Sequence, residues 1–290
     1  MWLIFALLSA VLASFRKVND KQLTHKIHQL ELAWAVKLTA LPIIFIVTAF
    51  THSLVDPTHL PARFWLAFIA SAFVMTPLDT YLYLSSLKHG ELSKIAPLLS
   101  LWPVVMLVLG ALFLHETPNG IAIIAVLGIM TGVLVLNAER TGIGTIIRSM
   151  WSDRATRHGL IGVCTVSINT ILGGIAIHSS GAIFYAFASS LTGLVVQYAI
   201  AKVMGVRNNQ WLVRSLPSIA LTGSMQGSTY LLYTLAVAAG PIAYVAAIRS
   251  STSILSALLG VFILKESLTR NKKLAFIIIA LSSAVLALKG

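Results

Sequence analysis

Charge is what this chain has least of. Only 10% of its 290 residues are Asp, Glu, Lys or Arg, against about 25% in an ordinary soluble domain. That is too little to coat a water-soluble globule of this size. Acid is scarcer still, with 9 Asp and Glu beside 21 Lys and Arg. Cysteine occurs once, at Cys164, which excludes an intrachain disulfide and any CxxC metal site. It lies in an apolar stretch and reads as a small packing residue. GxSxG, Walker A and HExxH are missing, and no pair of acids shares a site. The 8 histidines show no metal-ligand spacing. No enzymatic activity, cofactor or metal is therefore expected.

What remains is apolar. Hydrophobic residues make up 57% of the chain and the mean hydropathy is +0.88. The charges cluster between apolar stretches long enough to cross a bilayer core of about 30 Å. The predicted class is an all-α polytopic membrane protein. Ten spans are predicted, over residues 2–18, 30–50, 63–87, 92–114, 118–137, 159–179, 181–204, 215–238, 241–264 and 271–289. The run from Trp2 meets Arg16-Lys17 without a small-x-small cleavage site, so it reads as the first span and not as a signal peptide.

Residues 75–136 reappear as 225–286, identical at 14 of 62 positions without a gap. Tyr83 falls on Tyr233, Gly90 on Gly240, Ser100 on Ser250 and Glu116 on Glu266. The chain thus divides into a first five-helix repeat (1–137), a connector (138–158) and a second repeat (159–290). In the connector Ile143, Ile146, Ile147, Met150 and Trp151 recur at helical spacing. This suits an amphipathic helix lying in the headgroup region, with an irregular linker as the alternative.

The net charge of +12 follows the same plan. Seventeen of the 21 Lys and Arg fall in connectors 1–2, 3–4, 5–6, 7–8 and 9–10. Basic loops mark the cytoplasmic side, so these connectors should be cytoplasmic and both termini outside, with the protein integral to the cell (inner) membrane. No nucleic-acid partner is implied. Equivalent loops of the two repeats carry opposite charge bias, so the repeats face opposite ways. A 5+5 inverted-topology repeat is a plan of secondary transporters, with the site near the midplane.

Two segments carry a resemblance. Leu109 to Pro118 reads LGALFLHETP, and Leu259 to Thr269 reads LGVFILKESLT. Each follows a Gly–Ala–Pro/Ala–Ser pattern: Gly90, Ala96, Pro97 and Ser100, then Gly240, Ala246, Ala247 and Ser250. These segments resemble the ending of span 4 in each half of EamA-type transporters of the drug/metabolite transporter (DMT) superfamily. The resemblance covers about 75–137 and 225–288. It implies ten helices, a central cavity lined mainly by spans 1, 3, 4, 6, 8 and 9, and alternating access. Span 1 departs from the pattern by lacking a Trp-Gly pair.

Ionisable groups inside spans are costly and face the bundle interior. Three lie deep: Lys37, Asp79 and Arg249. Counted from the nearest connectors at 1.5 Å per residue, each sits roughly 10–13 Å below a surface. Arg249 either anchors an anionic substrate group or pairs with Asp79. Lys37 either lines the site or snorkels to the near surface. Asp79 is the one candidate for proton coupling. Met75, Asp79 and Tyr83 share a face of span 3, and Met225, Thr229 and Tyr233 the matching face of span 8, with Gln226 and Tyr230 adjoining. Trp102 beside Pro103, and Asn169 in span 6, add further candidates. Tyr185, Tyr198 and Trp65 read as interface-belt aromatics. Glu116 and Glu266 read as loop and orientation devices.

The expected function is secondary transport, namely export of a small metabolite such as an amino acid by alternating access. The alternative is an organic-anion or phosphate-ester exchanger using Arg249. Proton-coupled multidrug efflux and a non-transport role rank lower. Expected partners are a small-molecule substrate, protons as a candidate coupling ion, and membrane lipid. The expected assembly is a monomer or homodimer.

Overall fold

The computed structural model describes residues 1–24, 27–76, 78–79, 82, 102–115, 118–137, 154–206, 215–250, 252, 255 and 270–289. Among these residues there are α-helices and no strand. The helices are α1 (Trp2–Thr24), α2 (Gln29–Phe50), α3 (Ala62–Ile69), α4 (Trp102–Phe113), α5 (Gly120–Asn137), α6 (Arg154–Ser180), α7 (Ala182–Val203), α8 (Leu216–Ala239), α9 (Ile242–Ser250) and α10 (Arg270–Lys289). Helix α3 continues as a π-helical turn over Ala70–Met75. Each helix falls on one predicted span. Stretches of α2, α6 and α7 are long and apolar enough to cross a membrane, and shorter apolar stretches occur in α1, α3, α4, α5 and α10. Leu66, Ile124 and Leu281 are 74%, 70% and 64% exposed. An outward surface of this kind suits hydrocarbon and not water.

Helix ends follow from local chemistry. His28 Nδ1 accepts from the Leu30 amide at 3.3 Å and caps α2. Asn119 Oδ1 accepts from the Ala122 amide at 2.7 Å before α5. These caps satisfy amides that the first turn leaves without a carbonyl. Gly181 alone separates α6 from α7, at φ +87. A residue with a Cβ would be strained there, so glycine makes so short a turn possible.

The chain forms two compact units, each drawing on both sequence halves. The first comprises Met1–Phe73 and Gly173–Ala239. In it α8 packs against α1, α2 and α7, and α2 packs against α7. Two glycines let α8 approach α2. A Cβ at Gly223 would strike Thr39, its backbone included, and one at Gly227 would lie 2.9 Å from the Ala40 carbonyl. Small residues allow such approach where helices cannot rely on water to drive them together. Polar side chains then join the helices. Ser9 Oγ donates to the Thr229 carbonyl at 3.2 Å, and Thr39 Oγ1 to the Ile219 carbonyl at 3.2 Å. Leu23, Ile27, Leu32, Ala35, Val36 and Ile219 form an apolar cluster.

The second unit comprises Val74–Leu172 and Gly240–Gly290. Here α5 packs along α10. A Cβ at Gly128 would overlap Ser282, and one at Gly132 would overlap Ile279 and meet the Ala275 carbonyl at 3.1 Å. Helix α9 packs on α4 and α5, and every residue from Ile242 to Ile248 is buried.

Several boundaries differ from expectation. Helix α1 runs six residues past residue 18, because Asn19 Nδ2 donates to Thr222 Oγ1 at 2.6 Å and Leu23 packs in the apolar cluster, both against α8. Helix α6 already runs at Arg154, five residues before residue 159. Residues 138–153, which hold the expected amphipathic connector, lie outside the described residues, as do Glu116 and Glu266.

Candidate functional site

Eight of the nine candidate residues fall among the described residues; Tyr83 lies outside them. Asp79, Trp102, Asn169 and Arg249 belong to the second unit, and Lys37, Gln226, Tyr230 and Tyr233 to the first.

In the second unit, Asp79 and Asn169 meet. Asn169 Nδ2 donates to Asp79 Oδ2 at 2.8 Å and approaches Thr76 Oγ1 at 3.5 Å. The apolar stretch of α6 is Leu160–Ser180, so Asn169 stands one residue from its middle. An amide there holds a carboxylate about 15 Å from either end of the stretch. A charged oxygen so far from water needs such donors. The hydrogen bond comes from a neutral amide, and Arg249 is not among the contacts of Asp79 with the described residues. Arg249 follows the wholly buried stretch Ile242 to Ile248 of α9. Trp102 belongs to α4, against which α9 packs. Its Nε1 is buried without a hydrogen-bond partner among the described residues.

In the first unit, Lys37 departs from the snorkelling alternative. A Cβ at Gly193 of α7 would overlap Lys37 Nζ and press on the end of its stem. Helices α2 and α7 run antiparallel. Trp34 packs on Tyr198 at 5.5 Å between ring centroids, and Phe45 on Phe187 at 5.8 Å. That register sets Gly193 level with Thr39. The ammonium therefore lies about 3 Å deeper along α2 than its own Cα. Gly193 is at the middle of the 22-residue α7. The stem runs inward, into a notch that glycine leaves open.

Tyr230 and Tyr233 stack on α8 with centroids 6.3 Å apart. Tyr230 Oη shares a hydrogen bond of 2.9 Å with Ser189 Oγ of α7. One turn along α8, Gln226 Oε1 is buried without a hydrogen-bond partner among the described residues.

Three positions escaped the sequence reading. Tyr185 reads as an interface-belt residue yet is 5% exposed. Its ring packs edge-on against Phe68 at 6.4 Å, and its hydroxyl fills the space beside Gly173 and meets Ser71 of the π-helical turn. Tyr185, Ser71 and Tyr230, hydroxyl-bearing residues from separate elements, converge there. A π-turn within α3 is a feature often found at functional sites. Glu31, in the first turn of α2, is 2% exposed, so Asp79 is not alone as a buried acid. The amides of that first turn favour a carboxylate. Gly193 matters through its missing side chain. Nothing in the sequence marks it, because its role depends on which residue crosses it. By contrast Tyr198 and Trp65 are 43% and 38% exposed, and Tyr198 lies under Lys202 Nζ at 5.2 Å.

Comparison with known proteins adds to this geometry. The EamA-like transporter family model matches residues 1–138 and 158–288. A protein of a Sinorhizobium species, described as an uncharacterized transporter in the cobO 3' region, is 32% identical over 136 residues. That match spans 47% of this chain and 95% of the relative. A solved crystal structure covers 99% of this chain, and 97% of its own, at a TM-score of 0.79 and 14% identity. It shows the fold alone.

Proposed function

Because this chain belongs to the EamA-like transporter family, and is accordingly an integral membrane protein, we propose that it is a secondary transporter that exports a small metabolite such as an amino acid. The observation that carries the reading is the Asp79–Asn169 hydrogen bond at the middle of an apolar helix. A carboxylate kept that far from water is a liability unless it serves a pathway through the membrane. Lys37, near the midpoint of another spanning helix, supports the same reading.

In this proposal substrate crosses by alternating access through a central cavity, between two inverted five-helix repeats. Asp79 is the candidate coupling group. Trp102, Asn169, Gln226, Tyr230, Tyr233 and Tyr83 are candidate wall residues. The protein sits in the cell membrane with odd-numbered connectors in the cytoplasm, as a monomer or homodimer.

The test is flux in proteoliposomes. Purified protein loaded with radiolabelled L-amino acids should release them faster when an inward proton gradient is applied. Asp79→Asn should abolish the gradient's effect. Unchanged gradient-driven release from Asp79→Asn removes Asp79 from coupling. Failure to move any amino acid, together with exchange of organic acids or phosphate esters that Arg249→Gln weakens, replaces the amino-acid reading with the anion-exchanger one.

A further inference from the structure

Lys37 and Gln226 stand on different helices of the first unit, but the packing brings them to one level. The link is α7. Ser189 of α7 bonds Tyr230 of α8, so these faces meet. One turn further along α7 is Gly193. One turn along α8 in the matching direction is Gln226. Side chains four residues apart lie on the same helix face, so Gln226 shares the face of α8 that Tyr230 presents to α7. From the other side α2 delivers the Lys37 ammonium to the same glycine. Helices α2, α7 and α8 all pack on one another.

The two groups are chemically complementary to something other than each other. Lys37 offers three N–H donors and Gln226 an acceptor oxygen. Lys37 has no hydrogen-bond or ion-pair partner among the described residues, and Gln226 Oε1 is buried without one. A buried acceptor without a donor is costly, and so is an ammonium carried toward the middle of a span. A ligand carrying a carboxylate and an ammonium would satisfy both. The carboxylate accepts hydrogen bonds from the lysine's N–H groups and the ammonium donates to the amide oxygen.

We propose that Lys37 and Gln226, held at one level by the notch at Gly193, bind the carboxylate and the ammonium of a zwitterionic amino-acid substrate. Gly193 is a positioning residue: it touches no substrate and acts by leaving room for the lysine head. This inference rests on the amino-acid reading above and assigns the residues that recognise the substrate's two charges.

The experiment is a thermal-shift titration of the full-length protein in detergent with the twenty standard L-amino acids. Each amino acid that stabilises is compared with its decarboxylated amine and its deaminated acid. Stabilisation follows mass action, so shifts convert to affinities. The wild type should prefer the amino acid to both analogues. Lys37→Met should bind the amino acid no better than the amine, a loss of about ten- to a hundredfold, the worth of a charged hydrogen bond. Gln226→Leu should bind it no better than the deaminated acid. Gly193→Leu should behave as Lys37→Met does, and Gly193→Ala should fall between, with monodisperse elution checking that both variants fold.

Full amino-acid affinity in Lys37→Met overturns the assignment while leaving the amino-acid reading intact. Full affinity in Gly193→Leu overturns the positioning role. Stabilisation of the wild type by phosphate esters or organic acids, and by no amino acid, overturns the substrate class and this assignment with it.

Discussion

Asp79 and Asn169 are joined at 2.8 Å in the middle of α6, and each is conspicuous as a polar letter in an apolar run. Removing the amide takes a donor from a carboxylate that otherwise has, among the described residues, only the Thr165 hydroxyl beside it. Asn169→Leu should therefore lower stability by about 1–3 kcal/mol, the cost of an unsatisfied buried group, read as a fall in the detergent melting temperature. Asp79→Asn should cost less, since a neutral amide is cheaper to bury than a carboxylate. Asp56 gives a pH test outside the spans. Its carboxylate accepts from the Thr58 amide at 2.9 Å and the Thr58 hydroxyl at 2.8 Å. These donors hold its pKa below the usual carboxylate range. A group depressed on folding contributes above the ordinary value and loses that contribution as pH falls through the depressed one. Carboxyl NMR should show Asp56 titrating low, and Thr58→Val should move it up. At this scale the sequence marks what is chemically odd for its surroundings, such as Lys37, Asp79 and Asn169. It does not mark what is odd only by placement. Tyr185 lies near a helix end, where tyrosine is ordinary, and only the placement of Phe68, Ser71 and Gly173 around it shows it to be buried. Glu31 looks like any acid at the edge of a span, and only the fold shows it 2% exposed.

Hydropathy predicts ten helical segments, and each described helix falls on one of them, because backbone polar groups in hydrocarbon must be satisfied internally. The ends move where tertiary contacts extend a helix, as Asn19 and Leu23 do for α1. What hydropathy does not show is which glycines serve packing. Gly227→Leu should disrupt the α2–α8 contact, because a Cβ there already lies 2.9 Å from the Ala40 carbonyl, a backbone atom that cannot step aside. Overpacking of this kind costs about 1–3 kcal/mol or more, measurable as a lower melting temperature and a lower yield of monodisperse protein. Gly120→Ala is the control. Nothing lies within 4 Å of a Cβ at that position. The substitution should be neutral or stabilise by up to about 1 kcal/mol, through a less flexible unfolded chain.

The distribution of Lys and Arg predicts the orientation of the whole molecule. With the basic connectors inside, the C-terminus at Gly290 should face outward. A C-terminal alkaline phosphatase fusion should then be active, and a fluorescent-protein fusion at the same point dark. The opposite pattern overturns the orientation. The repeat is legible because two copies of a sequence can be laid on each other, residue 75 on 225. The compact units are not legible in that way, since α1 with α8, and α5 with α10, are partners chosen by packing across the two copies.

That interleaving bears on how the protein is made. The first unit takes residues up to Ala239, and the second closes only with the last helix. On the ribosome the N-terminal half thus has no finished partner set when its fifth helix emerges. Those helices wait in the bilayer, inserted but not yet assembled. A chain cut in the connector near residue 150 should yield two fragments that are each degraded when expressed alone, and a stable pair when expressed together.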